Sequence, residues 1–371
     1  MGCKVKILYM VLFFVMFCNF TIFASAQNAE GESLYNFEQI ELNDDVKNIL
    51  KEAGFDEFTA SEFSEISLDD VFRMIINVFS GSLKKPISML TLYLAMIIIC
   101  SFTYVFLNQN QSLSLFFESF VTLIVGFVAL SDISHVIKNA VSSIYSAGIL
   151  MKSLIPVTGI LVAMSGSPSM AVSYNAVSMY CAQLISAVCR DFLTPIISLF
   201  ASVSVCASVN QSFNSESLLN FIKRCVAVIL GFIGTVFTGV IALKDVLAVG
   251  IDKVAVKGVK FLLGSSVPVV GSALSEGLSS IIASVALMKN TYGTIGIIVV
   301  VCTTLPAVCE LLLWMTVLSA SGYAAQVFGL SGISKTFLSL QYVMSMLLSV
   351  LLFVIYVLIV ISAMVMLLGN K

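Results

Sequence analysis

The sequence predicts an all-α integral membrane protein. It reads as a polytopic helical bundle with an internal duplication and Pro/Gly-broken helices, preceded by a small helical extracytoplasmic arm. Three observations carry this. The 371-residue chain is 59% hydrophobic and 11% charged, with mean hydropathy +1.04. Soluble domains carry about a quarter charged residues, so this chain lacks the polar surface to cover a water-soluble core. Second, Lys260–Gly277 reads KFLLGSSVPVVGSALSEG, apolar enough for a bilayer yet holding Pro268, Gly271 and the carboxylate Glu276. A continuous membrane helix has no local use for that set; a broken helix packed inside protein does. Third, Ile155-Pro156-Val157-Thr158-Gly159 matches Val267-Pro268-Val269-Val270-Gly271 at an offset of 112 residues.

Residues 1–26 read as a secretory signal. Lys4 and Lys6 precede the apolar run Ile7–Phe23, and Ala24-Ser25-Ala26 forms a small-x-small cleavage site. The run is long for a signal, and an uncleaved anchor is the alternative. Residues 27–86 form an acidic arm. From Gln27 to Ile75 there are 13 acids and 3 bases, a net of −10, whereas from Ile76 onward 8 acids and 14 bases leave +6. Within the arm, Ser67 starts a helix whose apolar residues Leu68, Val71, Phe72, Ile75, Ile76 and Phe79 share one face. Such a face lies on the bilayer or the bundle, or docks an extracytoplasmic partner. Lys84-Lys85-Pro86 ends it at the membrane.

Residues 87–147 read as a first transmembrane hairpin and connector. Ile87–Leu107 spans the bilayer, Leu115–Ser134 returns, and the more polar stretch to Ser146, with His135 and Lys138, is a surface helix or loop. Residues 148–243 form repeat 1 and residues 261–371 repeat 2, joined by an interfacial connector helix over 244–260 that carries Lys253, Lys257 and Lys260 on one face. In repeat 1, Pro156 and Gly159 break the first helix, Ser165–Ser169 is a turn, Arg190-Asp191 marks a junction and Pro195 follows 39 residues after Pro156. In repeat 2, Pro268 and Gly271 break the helix, Lys289–Gly293 is a turn, Pro306 follows 38 residues after Pro268, and Ser319–Gly332 is a loop. Lys223 and Lys335 again differ by 112. Shared order and spacing favour duplication over chance likeness between apolar segments. Six to eight crossings follow the leader. Basic clusters at Lys223-Arg224 and in the connector bracket Cys225–Leu243, so either the positive-inside rule fails at one of them or a helix here is re-entrant.

The residues exclude several chemistries. His135 is the sole histidine, so neither a histidine-based metal cluster nor a nucleophile–His–acid set can form within one chain beyond it. The nine cysteines lie in the leader and in apolar stretches, without a Cys-x-x-Cys pair, and behave as small hydrophobes. Gly329–Thr336, GLSGISKT, has the spacing of a phosphate loop. Ser334 stands where the glycine before Lys335 is required, and no strand precedes it, which rejects a nucleotide site. No basic patch with interleaved aromatics points to nucleic acid. No catalytic, cofactor or metal residue is assigned. What remains are acids in or beside apolar runs: Glu118, Asp191, Glu276 and Glu310. A carboxylate facing lipid costs at least about 2.5 kcal/mol, so each faces protein or water. Pro156, Gly159, Pro268, Gly271, Glu276, Pro306 and Glu310 are the candidate pathway and helix-break residues, an arrangement resembling transporters whose sites lie between repeats. Hydrogen bonding between helices is the plainer role for the same groups.

The stretches VKGVKFLLGSSVPVVGSALSEGLSSIIAS (Val256–Ser284) and LMKNTYGTIGIIVVVCTTLPAVCELL (Leu287–Leu312) resemble the stage III sporulation protein AE family of endospore-forming bacteria. Leader, acidic arm and membrane body follow the same layout. The resemblance implies a multi-pass protein in the mother-cell-derived membrane around the forespore, its N-terminal arm extracytoplasmic. It also implies partners: the other proteins of its operon, including a secretion-type ATPase and a ring-forming protein, and a forespore-side protein. The implied role is a permease-like subunit of a channel complex that sustains late forespore gene expression. A secondary transporter of a small solute or ion, using Glu276 and Glu310, is the alternative, and a purely structural anchor is a third. If Cys225–Leu243 crosses the membrane once, single cysteines placed in Asn210–Ser217 and in Lys244–Lys260 label from opposite sides; a re-entrant helix labels both from one side.

Overall fold

An apolar chain in lipid must satisfy every backbone group internally, and helices do so within one segment. The computed structural model describes residues 82–107, 111–165, 168–209, 220–239 and 271–367, all within one compact unit and helical apart from short turns. In chain order they form α1 (Lys84–Leu107), α2 (Gln111–Met164), α3 (Pro168–Ala187), a π-helical turn (Val188–Leu193), α4 (Thr194–Val209), α5 (Asn220–Gly239), α6 (Gly271–Val327) and α7 (Ser331–Leu367). Five helices among them are long and apolar enough to cross a membrane: Lys84–Phe106, Phe116–Met164, Asn220–Gly239, Tyr292–Val327 and Ser331–Met366. The leader, nearly all of the acidic arm, the loop over 210–219, the connector and Pro268 lie outside the described residues.

The expected organisation holds at some breaks and fails at others. Pro168 opens α3 at the first helical position, where its missing N–H costs nothing, after a turn at Ser165. The junction at Arg190-Asp191 is the π-helical turn. Pro195, next to it, lacks an N–H and its ring crowds the carbonyl four residues back. Widening the preceding turn relieves this, with the Thr194 N–H and hydroxyl both donating to the Cys189 carbonyl, the hydroxyl at 2.8 Å. Pro156 and Pro306, in contrast, sit inside continuous helices, so neither ends its helix. Both rings are exposed on the outer face, where a lost backbone bond meets no packed neighbour. The stretch from Asp132 to Ser146 is a continuation of α2, not a separate surface element.

The predicted turn Lys289–Gly293 is also helical, and so is most of the predicted loop Ser319–Gly332. Repeat 1 has Pro168 after its small residues; at the same offset repeat 2 has Ser280, which does not force a stop. Over residues 159–209 the chain runs helix, turn, helix, π turn, helix, whereas 271–327 is one helix. Lys223 and Lys335 keep the offset within α5 and α7, but the interior breaks do not recur. The true stop of α6 is a Schellman motif: Leu330 N–H donates to Ala325 O at 3.0 Å and Gly329 N–H to Gln326 O at 3.1 Å. Gly329 takes φ +77°, a conformation costly for any residue with a Cβ.

Contacts fix a common register. α2 and α7 run parallel, with Glu118 beside Ser331, Gly126 beside Thr336 and Met151 beside Ser362. α6 runs antiparallel to α7, Gly322 packing on Leu338 and Gly296 on Ser362. The α3–α4 run is antiparallel to α2, Tyr174 meeting Thr158 and Val205 meeting Gly126. A Cβ on Gly126 would lie 2.6 Å from Val205 Cγ1, so glycine there lets α2 and α4 approach. α5 runs parallel to α7, with Lys223 over the Tyr342 ring and Gly234 against Phe353.

In this register the charges gather. Asp132, His135, Lys138 and Asn139 lie on α2, and Glu310 reaches Asn139. Counting six residues along α7 from Thr336 brings Tyr342, and with it Lys223, level with Asp132; counting back from Val205 brings Asp191 level with about residue 140. The band is ten or so residues tall, roughly 15 Å. On one side of it the outward faces carry Phe102, Phe106, Phe116, Phe120 and Phe127; on the other, Ile160, Met164 and Val172. With 54 and 57 residues, α2 and α6 measure about 81 and 85 Å, against a hydrocarbon core of about 30 Å, so both run beyond one bilayer.

Glu118 is 6% exposed and accepts from Ser331 Oγ at 2.8 Å and from the Gly332 N–H at 3.0 Å, meeting the free donors of the first turn of α7. Glu118→Ala is expected to cost about 2 kcal/mol of stability and Glu118→Gln less, because the amide oxygen still accepts. Gly332→Ala, whose Cβ meets Thr122 Oγ1 at 2.5 Å, should destabilise alone and recover when combined with Thr122→Ala. Thermal unfolding in detergent, followed by emission of the fully buried single tryptophan Trp314, measures all four.

Candidate functional site

Helical spacing places Asp132, His135 and Asn139 at i, i+3 and i+7, hence on one side of α2. Each finds a different environment. Asp132 is half-buried and accepts from the Tyr93 hydroxyl at 2.9 Å. Tyr93 comes from α1, is fully buried, and packs its ring against Phe337 of α7 with centroids 5.0 Å apart. This side chain therefore joins three helices: apolar contact to α7 and a hydrogen bond to α2.

Asn139 is the hinge of the second group. Its Nδ2 donates to Glu310 Oε2 at 3.0 Å, with Oε1 at 3.4 Å, and lies 3.3 Å from His135 Nδ1. An amide nitrogen only donates, so this contact is a hydrogen bond in the tautomer whose Nδ1 carries the lone pair. His135 itself is exposed, while Glu310 and Asn139 are half-buried. Glu310 therefore communicates with the outer face of α2 through one amide and one ring. Pro306 stands one turn before Glu310, exposed on the outer face of α6.

The other candidate residues are not part of this group. Gly159 lies nearer the end of α2, pressed against the amide of Asn175 on α3, a close approach that leaves no room for a Cβ. Asn175 Oδ1 is buried there without a hydrogen-bond partner among the described residues. Pro156 is exposed, a turn from the Thr158 hydroxyl that bonds the Leu154 and Ile155 carbonyls and lies 3.1 Å from the Tyr174 hydroxyl. Gly271 is the first residue of α6 and Glu276 lies in its second turn; Pro268 falls outside the described residues. By register, Glu276 is more than thirty residues along α6 from Glu310, about 50 Å, so the two acids do not share a site.

Glu118 and Glu310 are visible in the sequence as acids in apolar runs. Their partners are not: Asn139 and the first turn of α7 carry no local signal of pairing, since contacts across 171 or more residues depend on helix register. Among the described residues no group of three or more His, Cys, Asp or Glu is placed to hold a metal ion, and the seven cysteines there are free. What the arrangement can do chemically is exchange a proton or bind a cation at Glu310, with His135 on the outer side.

Tyr93→Phe keeps the ring contact with Phe337 and removes the bond to Asp132; the expected loss is about 1–2 kcal/mol in thermal unfolding. Asn139→Asp faces Glu310 with a second carboxylate and should destabilise more than Asn139→Ala. Adding Glu310→Gln to Asn139→Asp restores a donor–acceptor pair and is expected to recover most of that loss.

Compared with known proteins, the chain matches the family model "Stage III sporulation protein AE (spore_III_AE)" over residues 51–369. It is 23% identical over 249 residues to the stage III sporulation protein AE of Bacillus subtilis (strain 168). That match covers 67% of this chain and 61% of the relative's length. No solved structure matches it.

Proposed function

The chain belongs to the stage III sporulation protein AE family, and we propose that it is a multi-pass membrane subunit, without catalysis of its own, of a channel- or secretion-like complex linking mother cell and forespore. In this reading it sits in the membrane around the forespore. It works with the other proteins of its operon, including a secretion-type ATPase and a ring-forming protein, and with a forespore-side partner reached by the extracytoplasmic arm. Late forespore gene expression depends on that assembly. The family match over nearly the whole membrane body carries the proposal. It is supported by how the described bundle uses its buried polar groups: Glu118 caps a helix, and Tyr93 and Asp132 bond one helix to another.

One observation favours a second reading, a secondary transporter for a small solute or ion. Glu310 is a half-buried carboxylate joined through Asn139 to an exposed imidazole, the arrangement a proton-coupled step needs.

Deleting the coding sequence in its own host should arrest sporulation after engulfment, and the tagged protein should co-purify with the ATPase and ring proteins. A membrane extract that yields the protein only by itself counts against the complex. Restoring the gene as Glu310→Gln separates the readings. A complex subunit tolerates the change, whereas a transporter loses both sporulation and proton- or sodium-dependent uptake in liposomes.

A further inference from the structure

α5 carries two adjacent basic residues, Lys223 and Arg224, both exposed. Lys223 is held against α7, its ammonium 5.8 Å from the centre of the Tyr342 ring. Arg224 is exposed and lines an apolar trough of about 370 Å³ with Phe221, Cys225 and Val228.

Further along the same helix a second trough, about 680 Å³, opens between α5 and α7. Phe353 and Tyr356 form its α7 wall. On the α5 side lie Gly231 and Gly239, around whose Cβ positions nothing comes within 4 Å. Its two threonine hydroxyls are already used. Thr235 Oγ1 donates to the Gly231 carbonyl and Thr238 Oγ1 to the Gly234 carbonyl, each at 2.8 Å. The trough thus offers mainly hydrocarbon and aromatic surface, with the threonine donors turned onto the backbone and the Tyr356 hydroxyl as its remaining polar group. From Arg224 to Gly239 the helix rises about 22 Å, close to the length of a sixteen- to eighteen-carbon chain.

A cationic head beside a long apolar trough is complementary to one chemical class. We propose that the α5–α7 face is a binding site for an anionic phospholipid, its phosphate at Lys223 and Arg224 and one acyl chain along Gly231–Gly239. The pair of charges selects the headgroup, and the open glycines admit the chain.

The test uses the full-length protein purified in mild detergent, with native mass spectrometry after adding phosphatidylglycerol or phosphatidylcholine. The wild type should retain phosphatidylglycerol in preference to phosphatidylcholine. Lys223→Gln with Arg224→Gln should lower retention of phosphatidylglycerol about tenfold or more and leave phosphatidylcholine unchanged. Gly231→Leu and, separately, Gly239→Leu place side chains in open space, so the bundle should fold with unchanged Trp314 emission while retention of both lipids falls. Equal retention of the two lipids by the wild type overturns the proposal. So does unchanged retention in both the charge and the glycine variants. A mass showing a second copy on this face, lost in Gly231→Leu without change in bound lipid, assigns the trough to self-association and overturns it equally.

Discussion

The parallel pairing of α2 with α7 is the constraint from which the described bundle takes its register. Two polar contacts pin it near opposite ends. At one, Glu118 meets the first turn of α7; at the other, the Ser362 hydroxyl lies 3.7 Å from Met151 Sδ. Apolar surfaces slide past one another at little cost, and lipid supplies no hydrophobic drive to choose a register. A carboxylate that must find the few free N–H groups at a helix start has one solution. Once that is fixed, α6 folds back along α7 through the Schellman turn at Gly329, and Tyr93 can meet both Phe337 and Asp132.

That register has a consequence for function. It stacks side chains from four helical segments into one charged band, although they are scattered from Asp132 to Glu310 in the chain. Within the band, groups differ in how they are employed. Asp132 is tied to a buried tyrosine and acts as mortar between helices. Glu310 keeps a line to the exterior through Asn139 and His135. The same band supplies Lys223 and Arg224 at the head of the α5 trough, where aromatic and glycine surfaces continue into the apolar zone. The chain thus carries two different uses of charge at one level: Asp132 and Glu310 bonded to neighbouring helices, and Lys223 and Arg224 exposed along α5.

Where reading the chain succeeded, the signal was local. The small-residue turn expected over Ser165–Ser169 is found as a turn at Ser165, with the helix resuming at Pro168. Arg190-Asp191 before Pro195 marks a disturbance, and the helix widens there. Where it failed, proline and polar residues were given more power than they have. Pro156 and Pro306 face outward and cost one backbone bond each, too little to end a helix whose other face is packed over several turns. The polar run after Asp132 looked like a surface element because its residues dislike lipid. They are accommodated on a continuous helix by one tyrosine, one asparagine and one distant carboxylate. The repeat was legible as an offset and did not translate into repeated backbone, since small residues alone do not interrupt a helix without a proline to block the next hydrogen bond.

Composition alone determined that this chain is helical and crosses membranes, because too few polar residues exist to cover so much apolar surface in water, and backbone groups in lipid leave helices as the simplest answer. It determined also that acids in apolar runs must be sheltered. Which shelter each acid takes was decided only by the tertiary structure. Glu118 and Ser331, or Asn139 and Glu310, are far apart in sequence and carry no mutual signal; they meet because helices of about 80 Å lie side by side in a register set by the few hydrogen bonds that a hydrocarbon solvent cannot replace.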